Sequence, residues 1–305
     1  MAVADGLVNH ALATSSTKTY NRALASYKSF LAKHTTDLTQ TYPSPPRAIL
    51  AFIAHCYINK LAASTTLTYL SAIGYAHKLL NFSDPTQHFL VKKCLLGYNN
   101  QCRSPDKRLP ITSQLLERLV HSLQFTCNAA SHRCLLQAMF LLAFRAFLRV
   151  GELIGHGRGP AVVTYSCITF HYTADITSAL ELHPENYKHS HGKTVKLLIP
   201  AKVSPVTTCP VAALWQFCKL RGSNPGPLFT FPDGSQVSRT FFSSNLRASL
   251  IFCGCDTTLY KGHSFRIGAA TSAAEQGISE SQIQEMGRWK SSAFKKYIRI
   301  PMLQN

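Results

Sequence analysis

The stretch HSFRIGAATSAAEQGISESQIQEMGRWKSSAFKKYIR, residues 263–299, decides how this chain is read. From His263 to Gln276 small and apolar residues recur at helical spacing, and Gly277 supplies a stop. Ser279 and Gln282 make a capping box for a second helix that runs to Met286. The three-residue spacing of His263 and Arg266 puts imidazole and guanidinium on one helix face. Both lie near an N-terminus, where anions are favoured. Gly287-Arg-Trp289 follows, and then Tyr297 in the basic run Phe294-Lys-Lys-Tyr-Ile-Arg299. Taken singly these features are weak. H-x-x-R arises by chance, and a lone tyrosine in a basic helical stretch suits an amphipathic surface.

Upstream, Phe147-Leu-Arg149-Val-Gly-Glu152-Leu closes a very apolar helix. Arg145 is the single charge from Ala138 to Phe147, so a further arginine at that end is costly to bury unless it pairs or faces a ligand. A purely structural Arg149–Glu152 pair at helical spacing accounts for it equally well.

The rest of the second half is mixed. Helical patterns cover Thr112–Gln124, Ser131–Phe147 and Arg239–Phe252, with a further helix entered through Pro210 at its first position after Cys209. Val162–Tyr172, Leu180–His183 and Val195–Pro200 read as strands of a short antiparallel sheet, with Asn186–Lys193 connecting the last two. The first hundred residues read as a helical bundle. One helix starts near Thr17 with Ser15 or Ser16 as N-cap, and one follows Pro45 and Pro46. A third is capped by Ser64, and a shorter one follows Pro85. Gln101-Cys-Arg-Ser-Pro-Asp-Lys-Arg-Leu-Pro is polar, basic and twice interrupted by proline, as a linker should be. The expected organisation is a helical domain over 1–100, a linker over 101–110 and a mixed domain over 111–305. The fold class is mainly α with a small antiparallel β-sheet.

Charge narrows the partners. Lys and Arg number 32 against 14 Asp and Glu among 305 residues, a formal net charge of +18. Such an excess attracts polyanions in a salt-dependent way without saying whether they are DNA, RNA or an anionic membrane. The basic residues are spread over both halves, so a folded binding surface is expected rather than a tail. No apolar segment approaches the roughly 20 residues that span a bilayer. Met1–Leu7 lacks the basic-then-apolar pattern of a signal peptide, and a soluble, non-secreted protein without a membrane partner is expected. The ten cysteines are scattered, with no C-x-x-C, and read as buried thiols in a reducing compartment. No phosphate-binding G-x-x-x-x-G-K-[ST] loop is present and no Asp/Glu cluster suits paired metals, so no cofactor, metal or small-molecule substrate is expected.

In order and spacing, the run His263–Arg299 closely resembles the signature of the tyrosine recombinase (phage integrase) family: H-x-x-R, then G-x-[HW], then a nucleophilic tyrosine. Phe147–Leu153 is similar to the family's first-arginine motif, Leu-Arg-x-x-Glu-Leu. The wording His-Ser-Phe-Arg-Ile-Gly-Ala-Ala-Thr-Ser and Gly-Arg-Trp-Lys-Ser looks most like recombinases of eukaryotic mobile elements of the DIRS and Crypton kind. The helical first half resembles the family's SAM-like core-binding domain, so the likeness covers nearly the whole chain. It implies cleavage and rejoining of double-stranded DNA through a 3′-phosphotyrosyl link, which conserves the bond energy and needs neither ATP nor metal.

The resemblance assigns roles residue by residue. Tyr297 is the nucleophile; Arg149 and Arg266 are donor forks for the non-bridging oxygens of the transition state. His263 is a further donor or helps take the phenol proton, which a tyrosine ionising near about 10 requires. Trp289 stands where many relatives have histidine, and its indole N–H can still donate once. Lys188, in Asn186-Tyr-Lys-His-Ser on the strand connection, is the acid for the 5′-oxygen, with Lys193 as second choice; either also suits a phosphate contact. Glu152 orients Arg149 or His263. Two departures stand out. Trp289 to Tyr297 is one residue shorter than in many bacterial relatives, although Tyr297 is the only tyrosine after Tyr260. The residues after Tyr297, Ile298–Asn305, are fewer than the exchanged C-terminal helix by which some relatives interlock. The expected assembly is a clamp around duplex DNA and a homotetramer on two sites, nuclear in a eukaryote and cytoplasmic otherwise. The rival readings are a catalytically silent DNA-binding derivative and a type IB topoisomerase-like enzyme.

Overall fold

A computed structural model describes residues 7–8, 10–34, 42–102, 106–155, 162–184, 195–202 and 206–299. The chain divides into two units, residues 1–106 and 107–305. The first is helical: α1 (Thr14–His34), α2 (Pro46–Ile58), α3 (Ala63–Leu79), a 3₁₀ turn (Pro85–Gln87) and α4 (Phe89–Gln101). Along α1 the buried residues are Ala23, Tyr27, Phe30 and Leu31, one stripe at helical spacing. Tyr27, Phe30 and Leu31 meet Ile49, Phe52 and Ile53 of α2, Leu70 and Ile73 of α3, and Val91 and Tyr98 of α4 in one core. His77 of α3 is fully buried, its Nδ1 2.8 Å from the Ile73 carbonyl and its Nε2 2.9 Å from the Ser44 amide. Donating through Nδ1 and accepting at Nε2, the neutral ring is satisfied on both sides.

Two start signals are corrected. α1 begins at Thr14, so Ser15 and Ser16 lie inside its first turn, where Thr19 Oγ1 donates to the Ser15 carbonyl. α3 begins one residue before Ser64, from Ala62, with no side-chain cap. In both cases tertiary packing of the apolar face sets the start, and an available hydroxyl does not.

The second unit is built around α6 (Ala130–Arg145), in which nearly every residue from Leu135 to Phe144 is buried. A helix apolar on all sides belongs inside a protein. α5 (Ser113–Thr126), α8 (Pro210–Arg221) and α10 (Ser264–Glu275) pack around it. The remaining helices are the one-turn α7 (Val150–Leu153), α9 (Arg239–Phe252) and α11 (Glu280–Met286), followed by a 3₁₀ turn over Ser292–Tyr297. The capping box at Ser279 falls where the sequence places it, and two further side chains cap helices. Thr112 accepts from the Leu115 amide, Ser238 from Phe241, and Ser279 shares a capping box with Gln282.

The sheet is antiparallel, in the order β1 (Ile168–Thr173), β2 (Ile176–Leu182), β3 (Leu197–Pro200), with Leu180 facing Phe170 on one side and Ile199 on the other. Leu180, Leu182 and Ile199 point into the core. The expected first strand is shorter than its pattern: Tyr165–Cys167 form a 3₁₀ turn before β1. β2 starts earlier, at Ile176, because Ala174 and Asp175 both take left-handed φ values, 48° and 63°, and turn the chain tightly. Asn186–Lys193 lies outside the described residues.

Leu109 and Ile111, just past the unit boundary, donate from their amides to the carbonyls of Leu259 and Ser264, at 2.8 and 3.1 Å. A Cβ on Gly268 would stand 1.9 Å from the Ile111 carbonyl oxygen, so glycine is what lets this segment lie against α10.

Candidate active site

α6 ends at Arg145, two residues short of its pattern, and Phe147 reverses the chain with a φ of 51°. That reversal makes Arg149 the N-cap of α7 instead of the last residue of α6. Glu152 then turns back on it. Its Oε2 accepts from the Arg149 amide at 2.9 Å and its Oε1 from Arg149 Nη1 at 2.8 Å. The structural pair read from the spacing therefore exists, and it leaves the Arg149 side chain 27% exposed. Glu152 is buried and has a second cation: Arg288 Nη2 lies 2.9 Å from its Oε2.

His263 is the N-cap of α10 and Arg266 sits three residues on, as the spacing requires. Arg266 has no exposed surface. Its Nη1 donates to the Phe147 carbonyl and its Nη2 to the Gly287 carbonyl, while Nε finds no partner among the described residues. The guanidinium carbon lies over two aromatic rings, 4.1 Å from the Trp289 centroid and 5.9 Å from that of Tyr297. Burial above all, and then the charges of Arg149 and Arg288, push the Arg266 pKa down to about 9, against the opposing pull of Glu152 and Tyr297. Arg149 and Arg288 thus share the carboxylate of Glu152, whereas Arg266 feels its charge without bonding to it. The fold by itself undercompensates this site, and an anion placed there would be bound by charges already in position.

Tyr297 is the last residue of the closing 3₁₀ turn. Phe294 anchors that turn in the core. Thr271 Oγ1 donates to the Tyr297 carbonyl at 3.1 Å and accepts the Arg299 amide at 3.0 Å, which fixes the backbone on both sides of the ring. The Tyr297 ring lies 5.0 Å from that of His263 and 5.1 Å from that of Trp289. The structure therefore brings Arg149, Glu152, His263, Arg266, Trp289 and Tyr297 together. Lys188 and Lys193 lie outside the described residues, although the strands between which they fall, β2 and β3, are paired neighbours.

Trp289 lies against both Arg266 and Tyr297. Its indole nitrogen is buried with no hydrogen bond among the described residues. In this arrangement the ring is a platform under Arg266. The platform depends on Gly287, since a Cβ there would stand 1.4 Å from the indole. Gly287→Ala should drive the ring off Arg266 and lower the rate of any reaction at the site by about 10²-fold, the scale of a 1 Å misplacement. Circular dichroism and single-turnover rates compared with wild type check this.

Residues beyond the sequence reading also meet here. Arg288 is one; its burial depends on its left-handed φ of 55° after Gly287, which no local pattern announces. Arg108, Arg239 and Lys261 join Arg149 and His263 around a cleft of about 450 Å³ floored by Gly151 and Gly262. A basic residue is unremarkable in this sequence, and only the fold gathers these.

No family model matches the sequence, and no curated protein matches it. Solved structures do. The fold is similar to that of a λ integrase dimer bound to a COC′ core site, with a TM-score of 0.61 at 15% identity over 97% of this chain and 74% of that one. XerH site-specific recombinase bound to difH substrate in a pre-cleavage complex gives 0.59 at 14% identity, over 93% of this chain and 76% of its own. The Tn1549 transposon integrase in complex with circular intermediate DNA gives 0.60 at 12% identity, over 98% of this chain and 94% of its own. These likenesses span both units and show the fold.

Proposed function

We propose that this chain is a site-specific DNA recombinase that breaks and rejoins strands through Tyr297. One observation carries the reading. A tyrosine ring is packed against His263 and Trp289, beside the Arg266 guanidinium and close to two more, those of Arg149 and Arg288, that share one carboxylate. Phosphoryl transfer asks for little else, because its transition state spreads negative charge over non-bridging oxygens and catalysis is positioning plus electrostatics. The similarity to structures solved with DNA and the net charge of +18 support the same substrate.

In the proposed reaction the Tyr297 oxygen attacks the scissile phosphorus while the 5′-oxygen departs in line. A phosphotyrosyl bond forms as the P–O5′ bond breaks, and the phenol proton passes towards His263. Arg149 and Arg266 hold the non-bridging oxygens. Attack by another 5′-hydroxyl reverses the step, releasing Tyr297 and joining a new strand. No outside energy is required, since one phosphodiester replaces another. Exchange between two duplexes uses four such sites, so a homotetramer on two DNA sites is the assembly proposed. A eukaryotic mobile element of the DIRS or Crypton kind, acting in a nucleus, is the proposed setting.

Lys188 is proposed as the acid that protonates the departing 5′-oxygen. Lys188→Met should slow cleavage by about 10²–10³-fold, within the usual range for general acid catalysis. A substrate with sulfur in place of the bridging 5′-oxygen should restore most of that rate, because a thiolate leaves without a proton. Failure of the sulfur substrate to restore it would reduce Lys188 to a phosphate contact and move attention to Lys193.

The test of the reading is incubation of the protein with nicked duplex DNA, followed by denaturing electrophoresis and mass spectrometry of the adduct. A covalent species whose DNA maps to Tyr297 establishes the chemistry. A folded protein that binds DNA across varied substrates and never forms an adduct would make it a binding protein. Relaxation of supercoiled plasmid without a specific site would point to a topoisomerase instead.

A further inference from the structure

Arg288 is held at some cost. Its φ of 55° lies in the left-handed region, which disfavours an L-residue because Cβ crowds the following carbonyl. Its side chain has no exposed surface, and Glu152, to which it is bonded, is 4% exposed. Buried ion pairs seldom stabilise a fold more than apolar side chains of the same size would. Local strain and a buried charge pair in one residue are commoner at working sites than elsewhere.

The bonds around Arg288 show what it ties together. Glu152 receives Arg288 on Oε2 and the Arg149 guanidinium on Oε1. The residue before Arg288, Gly287, receives Arg266 on its carbonyl; the residue after it, Trp289, lies under the Arg266 guanidinium. Of three consecutive residues, Gly287 and Trp289 therefore touch Arg266 directly and Arg288 reaches Arg149 through Glu152. Without Arg288, the Arg149 side chain would be bonded, among the described residues, only to a carboxylate of its own four-residue α7, and its remaining tie to Arg266 would run along the backbone from the Phe147 carbonyl.

We propose that Arg288 is a positioning residue: acting through Glu152, it sets Arg149 relative to Arg266 so that both forks converge on one phosphate. This rests on the phosphoryl-transfer reading of the site. It also explains why the pair is an arginine and a carboxylate. The planar fork and the two-oxygen acceptor transmit orientation, which a flexible lysine does less well.

A double-mutant cycle tests it. Wild type, Glu152→Gln, Arg288→Met, Arg288→Lys and the Glu152→Gln/Arg288→Met pair are compared on nicked duplex DNA. The first-order rate of adduct formation is read at saturating DNA, and the DNA dissociation constant and melting temperature separately. Arg288→Met should lower the saturated rate by about 10²-fold while leaving DNA affinity within about threefold of wild type. Arg288→Lys should recover part of that rate. The double variant should be no slower than Glu152→Gln alone, since both changes cut one link. If Arg288→Met fails to fold, the double variant, which removes the buried carboxylate charge as well, is compared with Glu152→Gln.

The proposal is overturned if the two losses multiply, if Arg288→Met cleaves within about threefold of wild type, or if its loss lies wholly in DNA affinity. An absence of adduct in wild type would instead defeat the phosphoryl-transfer reading. The link itself is then read by nuclear magnetic resonance of ¹⁵N-arginine protein. A restrained Arg149 guanidinium signal that collapses in Arg288→Met supports the link, and one that persists removes it.

Discussion

Tyr297→Phe should bind DNA as wild type does and leave no covalent adduct on a denaturing gel. The substitution removes one oxygen from a partly buried ring whose packing is otherwise kept. The contacts of that ring with His263 and Trp289, at 5.0 and 5.1 Å between centroids, are made by carbon faces that phenylalanine retains. The backbone is held through Thr271, which does not touch the phenol oxygen. Folding and affinity should therefore change little. The reaction, by contrast, has no other nucleophile to fall back on, because no tyrosine other than Tyr297 follows Tyr260. Anisotropy titrations beside the adduct assay separate the two effects. An adduct that survives in Tyr297→Phe would relocate the nucleophile and dismantle the site as described.

Arg266→Lys should lower the rate of adduct formation by about 10³-fold or more, the range in which a single arginine acts in phosphoryl transfer. The charge is conserved by this change, so the loss would measure geometry. Arg266 spans two segments, donating from separate nitrogens to the carbonyls of Phe147 and Gly287 while its plane rests on Trp289. A lysine is a point charge on a flexible stem; it can satisfy one carbonyl and stack on nothing. The carbonyl left unpaired should cost about 1–3 kcal/mol of stability, readable as a shift in the urea midpoint. Arg266 is also the group that gains most from an anion, since burial and two neighbouring guanidiniums already push its pKa down to about 9. A lysine variant that cleaves within about tenfold of wild type would show that charge alone suffices, against the planar-fork argument.

The two arginines illustrate how differently parts of the site could be read. His263 and Arg266 are three residues apart on a helix whose start and stop signals are local, so their common face follows from spacing alone. Arg149 and Glu152 are also three apart, and they pair as that spacing predicts. The helix assumed to carry them does not. α6 stops at Arg145, and the left-handed turn at Phe147 hands Arg149 to α7. Phe147 is an unusual residue for that conformation, and only the burial of its ring and the use of its carbonyl by Arg266 account for it. Glu152 illustrates the same limit. Its partner Arg149 was legible, whereas Arg288 comes from a segment 136 residues away and meets it only in the folded chain.

The sequence by itself determined the elements and the identities of the chemical groups. Periodicity places the helices, alternation places the strands, and Ser279 and Gly277 mark ends, because these effects act over a turn or less. The tertiary structure alone decided which groups face one another and in what state. It placed Trp289 beneath Arg266 with its indole nitrogen buried and unbonded among the described residues, brought Arg288 to Glu152, and gathered Arg108, Arg239 and Lys261 beside Arg149. Side-chain burial and long-range electrostatics depend on contacts between distant segments, and a linear pattern carries no record of these.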